Sequence, residues 1–212
     1  MKVADSPAAR VMDIVAGPPG SGKSTFFRVA DRGNDSFNID ERRRELNKGS
    51  SRNIPAAVRQ QSIAEYEAFI EGHIRDGRSF SFEATLAKDI TFQQADRAKR
   101  AGFEVHLTYV VTKVEECVER VKMRALRGGH AAPESVLEDV HAGSMRNLSR
   151  AIRSFDVVQV YDNSVQAERG ERLHEAKPTL VLEARQGTVA YVAAAAPEWL
   201  KAALTGSEYE LD

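Results

Sequence analysis

Eight consecutive residues, Gly17-Pro18-Pro19-Gly20-Ser21-Gly22-Lys23-Ser24, have the types and spacing needed to hold a chain of phosphates. A phosphate cradle needs successive backbone N–H groups turned toward one point. Glycine reaches those angles cheaply and lets an oxygen approach the chain closely. A helix opening directly after the loop adds unpaired N–H donors and a positive dipole end. In this pattern Lys23 bridges the β- and γ-phosphates, Ser24 places a hydroxyl on Mg²⁺, and Thr25 donates to the α-phosphate. The competing reading is a chance glycine-rich turn. Context argues against it, because an apolar strand candidate (Val11 to Ala16) precedes the loop and a helix candidate follows from Lys23.

Ligands of open α/β sheets gather beyond the carboxyl ends of the strands. Two acids fall there: Asp40 after Phe37-Asn38-Ile39, and Glu83 after Ser79 to Phe82. Phosphoryl transfer to an alcohol uses one carboxylate near the acceptor hydroxyl and can use another near metal-bound water. The ordinary alternatives are that Asp40 caps a helix over Glu41 to Leu46 and that Glu83 pairs with a surface lysine. Arg120, Arg124 and Arg127 follow one helical face. That face is either salt-bridged to Glu116 and Glu119, or a lid that carries guanidinium groups to the transferring phosphate, hinged at Gly128-Gly129-His130. His130 itself reads as a packed histidine, and Cys117, among Val114, Val118 and Val121, as core filler.

These side chains need a scaffold, and strand and helix patterns alternate along most of the chain. Helices are expected from Lys23 to about Asp31, from Pro55 to Gly77, over Ile90 to Ala101, over Val114 to Leu126, and from Pro133 with interruptions toward Phe155. Strands are expected over Ser36 to Ile39, Ser79 to Phe82, Phe103 to Val111 and Val157 to Tyr161. The alternation predicts an α/β fold, a parallel sheet flanked by helices of the P-loop NTPase type. After Pro178 the pattern changes to a small β-hairpin (Thr179 to Ala184, Val189 to Val192) and a helix (Pro197 to Leu204), with a frayed acidic tail over Glu208 to Asp212. Residues 1–177 are thus expected to form the main domain, with a helical lid around 120–153, and 178–212 an accessory segment of it.

The 212 residues carry a formal net charge of -1, which predicts no bulk attraction to nucleic acid or anionic membrane. No apolar run is long enough to cross a bilayer, and the first residues lack the apolar core of a secretory signal. The single Cys117 excludes an internal disulfide and fits a reducing cytoplasm.

The ordered set of motifs resembles the zeta toxin family of P-loop kinases over about Asp13 to Ser164. The matching stretches are residues 17–25, Asn38-Ile39-Asp40, Phe82 to Ala87, Gly102 to Val110, Arg120 to Glu134, Ser144 to Leu148 and Val160 to Ser164. The resemblance implies ATP- and Mg²⁺-dependent phosphorylation of a small molecule, which in the family's best-known members is a UDP-N-acetyl amino sugar. It implies Asp40 as the base for the acceptor hydroxyl, with Glu83 and Thr85 binding the acceptor. Arg120 and Arg124 would contact the γ-phosphate. Arg43 matches the basic residue after the aspartate, with Arg42 and Arg44 as alternative registers. An antitoxin-type protein inhibitor is an implied partner. One stretch departs from the pattern: Ser135 to Gly143 carries Glu138 and Asp139 where small relatives carry basic residues. Arg146, Arg150 and Arg153 are the candidate substitutes. Two rivals remain, a kinase for another metabolite and an ATP-binding module without transferase activity that works through a protein partner.

Overall fold

The computed structural model describes residues 9–129, 132–164 and 177–211. Its strands are β1 (Arg10–Ala16), β2 (Asp35–Phe37), β3 (Phe80–Ala84), β4 (Phe103–Val111), β5 (Val157–Asp162), β6 (Thr179–Arg185) and β7 (Thr188–Val192). Its helices are α1 (Lys23–Phe26), α2 (Ile39–Leu46), α3 (Ala56–Asp76), α4 (Ile90–Arg100), α5 (Val114–Leu126), α6 (Glu134–Arg146), α7 (Leu148–Ser154) and α8 (Glu198–Leu204). The strands form one sheet in the order β2-β3-β1-β4-β5-β6-β7. The first five are parallel, and the β6–β7 hairpin joins antiparallel to β5. This is the α/β sheet flanked by helices that the alternating pattern predicts.

The period of two along each strand decides what the sheet buries. Met12 and Ile14 lie beside Phe80 and Phe82 on one side and Val105 and Leu107 on the other, all buried. Phe92, Ala95 and Ala98 of α4, Leu148 and Ile152 of α7, and Leu200 and Leu204 of α8 belong to the same core. The opposite face is different. Its cross-strand neighbours include Asp13, Ser81, His106, Thr108, Gln159 and Glu183, whereas parallel strands are commonly apolar on both faces. Arg32 serves this polar face: Nη2 donates to Thr108 Oγ1 (2.9 Å) and Nη1 lies 3.4 Å from Asp13 Oδ2. Burial raises the Asp13 pKa, with the Arg32 charge opposing.

Two expectations need correction. The helix after the loop stops at Phe26, and a 3-10 turn (Val29–Arg32) replaces its predicted continuation to Asp31. Ser81 Oγ donates to the Val29 carbonyl (3.1 Å), and Arg32 is drawn to β1 and β4. These tertiary bonds outweigh local helix propensity. The tail is not frayed through residue 211. Tyr209 donates to the Gly187 carbonyl (3.1 Å), Glu208 pairs with Arg153, and Leu211 packs against the core.

Candidate active site

The loop between β1 and α1 is shaped as an anion cradle. Gly17 (φ 146°), Gly20 (φ 85°) and Gly22 (φ 96°) adopt backbone angles that side-chain-bearing residues rarely adopt. Space enforces the choice as well, since a Cβ on Gly17 would stand 1.9 Å from the Val110 carbonyl and one on Gly22 would stand 2.3 Å from Asn163 Nδ2. Among the described residues, the N–H groups of Gly20, Gly22, Lys23 and Ser24 donate to no protein acceptor. Successive free amides at a helix N-terminus favour phosphate oxygens. Lys23 is buried; its ammonium donates to the carbonyls of Gly17 (2.8 Å) and Pro18 (3.1 Å) and lies 3.6 Å from Glu83 Oε1. Burial lowers its pKa, and Glu83 is the largest opposing influence.

Glu83, at the carboxyl end of β3, stands against the loop itself. It accepts from Ser24 Oγ (3.1 Å to Oε2) and from Asn38 Nδ2 (2.7 Å). The Ser24 hydroxyl and a carboxylate oxygen are the hard donors that Mg²⁺ takes alongside phosphate oxygens, so the residues present fit that ion. Among the described residues no group of three or more His, Cys, Asp or Glu is gathered as a metal cage. The surface-lysine alternative for Glu83 is replaced by a buried one, Lys23.

Asp40 lies in the first turn of α2. The cap of that helix is Asn38, whose side chain accepts from the amides of Asp40 (3.0 Å) and Glu41 (3.2 Å). Asp40 is therefore not the cap, and its carboxylate is left for other work. It is 62% exposed and pairs with Arg43 (3.2 Å), while Arg43 also donates to Ser62 Oγ (3.2 Å). The Asp40 charge is close enough to act on Lys23. Thr85 is exposed just beyond β3, in a loop held by α6 and the residue after it. Ser144 Oγ donates to the Thr85 carbonyl (2.7 Å), and Asn147 Nδ2 donates to the carbonyl of Leu86 (2.9 Å), whose φ is 62°.

The arginines of α5 divide. Arg120 is engaged: it pairs with Glu116 (2.9 Å) and donates to the carbonyls of Asn163 (3.0 Å) and Gly20 (3.4 Å). Arg124 has no side-chain partner among the described residues. Both line a cavity of about 700 Å³ between the end of α2 with its following loop (Arg44, Gly49, Ser51) and α5 with Arg127, Gly128 and Gly129. Of the three candidate substitutes for the missing basic run, exposed Arg146 has no side-chain hydrogen bond or ion pair among the described residues, and the other two are committed elsewhere. Arg150 pairs with Asp89 and stacks 4.0 Å from the Phe92 ring, and Arg153 pairs with Glu208. His130 lies outside the described residues.

The model of the AAA domain matches residues 12–145. The chain belongs to the AAA domain family. An uncharacterised protein from Haemophilus influenzae is 30% identical over 124 residues, which is 58% of this chain and 86% of the relative. The fold is similar to that in the PezAT chromosomal toxin–antitoxin system of Streptococcus pneumoniae, with TM-score 0.56, 19% identity and coverage of 77% of this chain and 72% of that one. It is also similar to the AvrRxo1-ORF1:-ORF2 structure with ATP, with TM-score 0.62 and 19% identity, covering 87% of this chain and 60% of that one. At 19% identity, both likenesses are of the fold.

Two residues that matter to the geometry lie beyond the matched AAA segment. Asn163, after β5, donates Nδ2 to the Ser21 carbonyl (2.8 Å) and accepts from Arg120 at its own carbonyl. Asn147 holds the loop after β3. Sequence reasoning included both in motif stretches but gave neither a role. Their signal was an asparagine at a strand or helix end, where a short amide commonly bonds backbone.

Proposed function

We propose that this protein is a cytoplasmic kinase that transfers the γ-phosphoryl group of ATP to a hydroxyl of a small acceptor. The observation that carries the reading is the set of amides of Gly20, Gly22, Lys23 and Ser24, unpaired among the described residues, in the loop that also carries the buried Lys23 ammonium. An ATP complex of a protein with a similar fold supports the choice of nucleotide. Lys23 neutralises the β- and γ-phosphates. Ser24 and Glu83 would hold Mg²⁺, which when bound supplies charge neutralisation on the transferring group. Asp40 takes the acceptor's proton as the new P–O bond forms and ADP leaves, and Arg43 orients that carboxylate. Arg124 faces the developing charge on the γ-phosphoryl oxygens, and Arg120 braces the loop. Thr85 contacts the acceptor. By family resemblance a UDP-N-acetyl amino sugar is the leading candidate for the acceptor, and an antitoxin-type inhibitor the leading candidate for a partner.

A second reading, an ATP-binding module acting through a protein, draws on Glu138 and Asp139 in α6 and on the engagement of Arg150 and Arg153 elsewhere. One experiment separates the two. The protein is incubated with ATP, Mg²⁺ and a panel of nucleotide sugars and other alcohols, and ADP and product are followed by mass. The kinase reading expects turnover that Lys23→Ala abolishes together with ATP binding. Asp40→Asn should keep ATP affinity within about threefold and cut turnover roughly 10²–10⁴-fold, the usual worth of a general base. ATP binding without product across the panel would favour the module.

A further inference from the structure

The chain leaves β3 through a strained turn, and one face of α6 is tied to that turn. Resting on the kinase assignment, we infer that Ser144 and Asn147 are positioning residues: they hold the backbone of Thr85 and Leu86 so that the Thr85 hydroxyl meets the acceptor.

Leu86 is the reason such bonds are needed. Its φ of 62° lies in the left-handed region, where a Cβ crowds the following carbonyl oxygen. Its side chain is nonetheless fully buried in the core, so a glycine would free the backbone only by emptying that place. Backbone strain of this kind persists where the surroundings over-determine it, and it gathers at functional sites. Here the surroundings are α6 and the residue after it. Ser144 Oγ donates to the Thr85 carbonyl (2.7 Å) and Asn147 Nδ2 to the Leu86 carbonyl (2.9 Å). Gly143 allows the close approach, since a Cβ there would stand 3.3 Å from the Ala87 carbonyl. One turn earlier, His141 Nε2 donates to the carbonyl of Thr112, just beyond β4 (2.9 Å). Positions 141, 144 and 147 are three apart and follow one side of the helix. That side therefore bridges the carboxyl ends of β3 and β4.

The Ser144 bond is itself backed up. Ser144 is wholly buried, and so is Tyr109, whose hydroxyl lies 2.8 Å from Ser144 Oγ. Ser144 has one proton and gives it to the Thr85 carbonyl, so Tyr109 donates to Ser144, with the Met145 thioether a weaker acceptor at 3.5 Å. The relay ties Thr85 to β4, the neighbour of the strand that runs into the phosphate loop. The side chain of Thr85 is treated differently from its backbone. It is exposed, and among the described residues Oγ1 takes part only in a long bond from the Ala87 amide (3.4 Å). Two residues earlier, the same strand sets Glu83 against Ser24. A hydroxyl with a fixed backbone and a free side chain, beside the phosphate loop, is placed to orient a bound alcohol.

The test measures ATP affinity, stability in denaturant and steady-state kinetics on the full chain. UDP-N-acetylglucosamine is the probe acceptor, replaced by the alcohol that the wild type phosphorylates fastest should that sugar not react. Asn147→Ala and Ser144→Ala should each raise the acceptor KM roughly ten- to hundredfold, the scale of a misplaced contact. ATP affinity and kcat should stay within about threefold, because a contact that binds without reacting shows in KM. Asn147→Asp keeps the shape but lacks the donor and should behave as Asn147→Ala does. In a Thr85→Ala background, Asn147→Ala should add less than about threefold, since both substitutions remove the same contact. Should Ser144→Ala fail to fold, the Asn147 variants, at a half-buried position, carry the test. Wild-type ATP binding with no alcohol phosphorylated overturns the kinase assignment and this role with it. Wild-type turnover with an unchanged acceptor KM in the Asn147 variants overturns the positioning role alone. So does an Asn147→Ala effect that is undiminished in the Thr85→Ala background.

Discussion

The Ser24 hydroxyl donates to the Glu83 carboxylate across 3.1 Å, and the same carboxylate lies 3.6 Å from the Lys23 ammonium. A carboxylate in that place is positioned for a metal ion and its water more directly than for an acceptor alcohol. Glu83→Gln should therefore raise the Mg²⁺ concentration needed for ATP binding, roughly tenfold, the usual lower effect of losing a group that orients a metal site. Metal-free ATP affinity should hold or improve, because a negative charge beside the phosphates is gone. Fluorescent-nucleotide titrations at several Mg²⁺ concentrations check this. If the metal dependence is unchanged and the acceptor KM rises instead, Glu83 serves the acceptor.

Gly22 and Asn163 are fitted to each other. Gly22→Ala combines a positive φ with a Cβ 2.3 Å from Asn163 Nδ2. The expected cost is about 1–3 kcal/mol of stability from the backbone strain, with a loss of nucleotide affinity of at least tenfold. Asn163→Ala alone removes the bond to Ser21 but adds no clash, and should cost about 1 kcal/mol. In the double variant the losses should fall short of additive, because Asn163→Ala relieves part of the clash. Chemical denaturation and ATP titration of all four proteins complete the cycle.

The lowered pKa of Lys23 has a sign that can be tested. In the alkaline window between its folded value and the ordinary lysine range, the unfolded chain binds the proton and the folded chain does not. Stability of the free protein should therefore rise with pH through that window, relative to Lys23→Met, which has no such group. Nucleotide affinity should move the other way and fall with pH below the ordinary lysine range, as the ammonium loses its charge. Thermal melts and ATP titrations across the alkaline range, each compared with Lys23→Met, read both effects. A flat difference between the two proteins would contradict the burial-driven shift.

Arg32 holds a carboxylate and a hydroxyl on the polar face of the sheet. Arg32→Ala leaves Asp13, a largely buried acid, without its partner. The expected cost is about 1–3 kcal/mol, the penalty of an unsatisfied buried polar group. Asp13→Asn should cost less, since it removes the buried charge as well as the pair. If Asp13→Asn proves the more damaging substitution in denaturant melts, the ion pair is a net stabiliser and not merely a compensated charge.

Much of the architecture was legible from residue order. The β4 and α5 boundaries follow the hydrophobic period, and α3 begins after Pro55 and ends before Gly77, as a helix-opening proline and a positive-φ glycine require. The phosphate loop was legible because its chemistry is local: adjacent residues must present adjacent amides. The misreadings were non-local. The helix after the loop was cut short by a bond from Ser81, more than fifty residues away, and the tail was docked by Gly187 and Arg153.

By itself, the sequence determined the strand–helix alternation, the glycine-rich loop between β1 and α1, and the presence of acids at or just after the ends of β2 and β3, because each depends on periodicity or on neighbours in the chain. Only the tertiary structure decided which acid stands against the loop and which is left exposed in the first turn of α2, that Asn38 rather than Asp40 caps α2, and which arginines are already paired. Those outcomes depend on distances between side chains on different elements. Spacing along the chain does not encode them, since a carboxylate finds its partner through the register of the sheet and the packing of the helices above it.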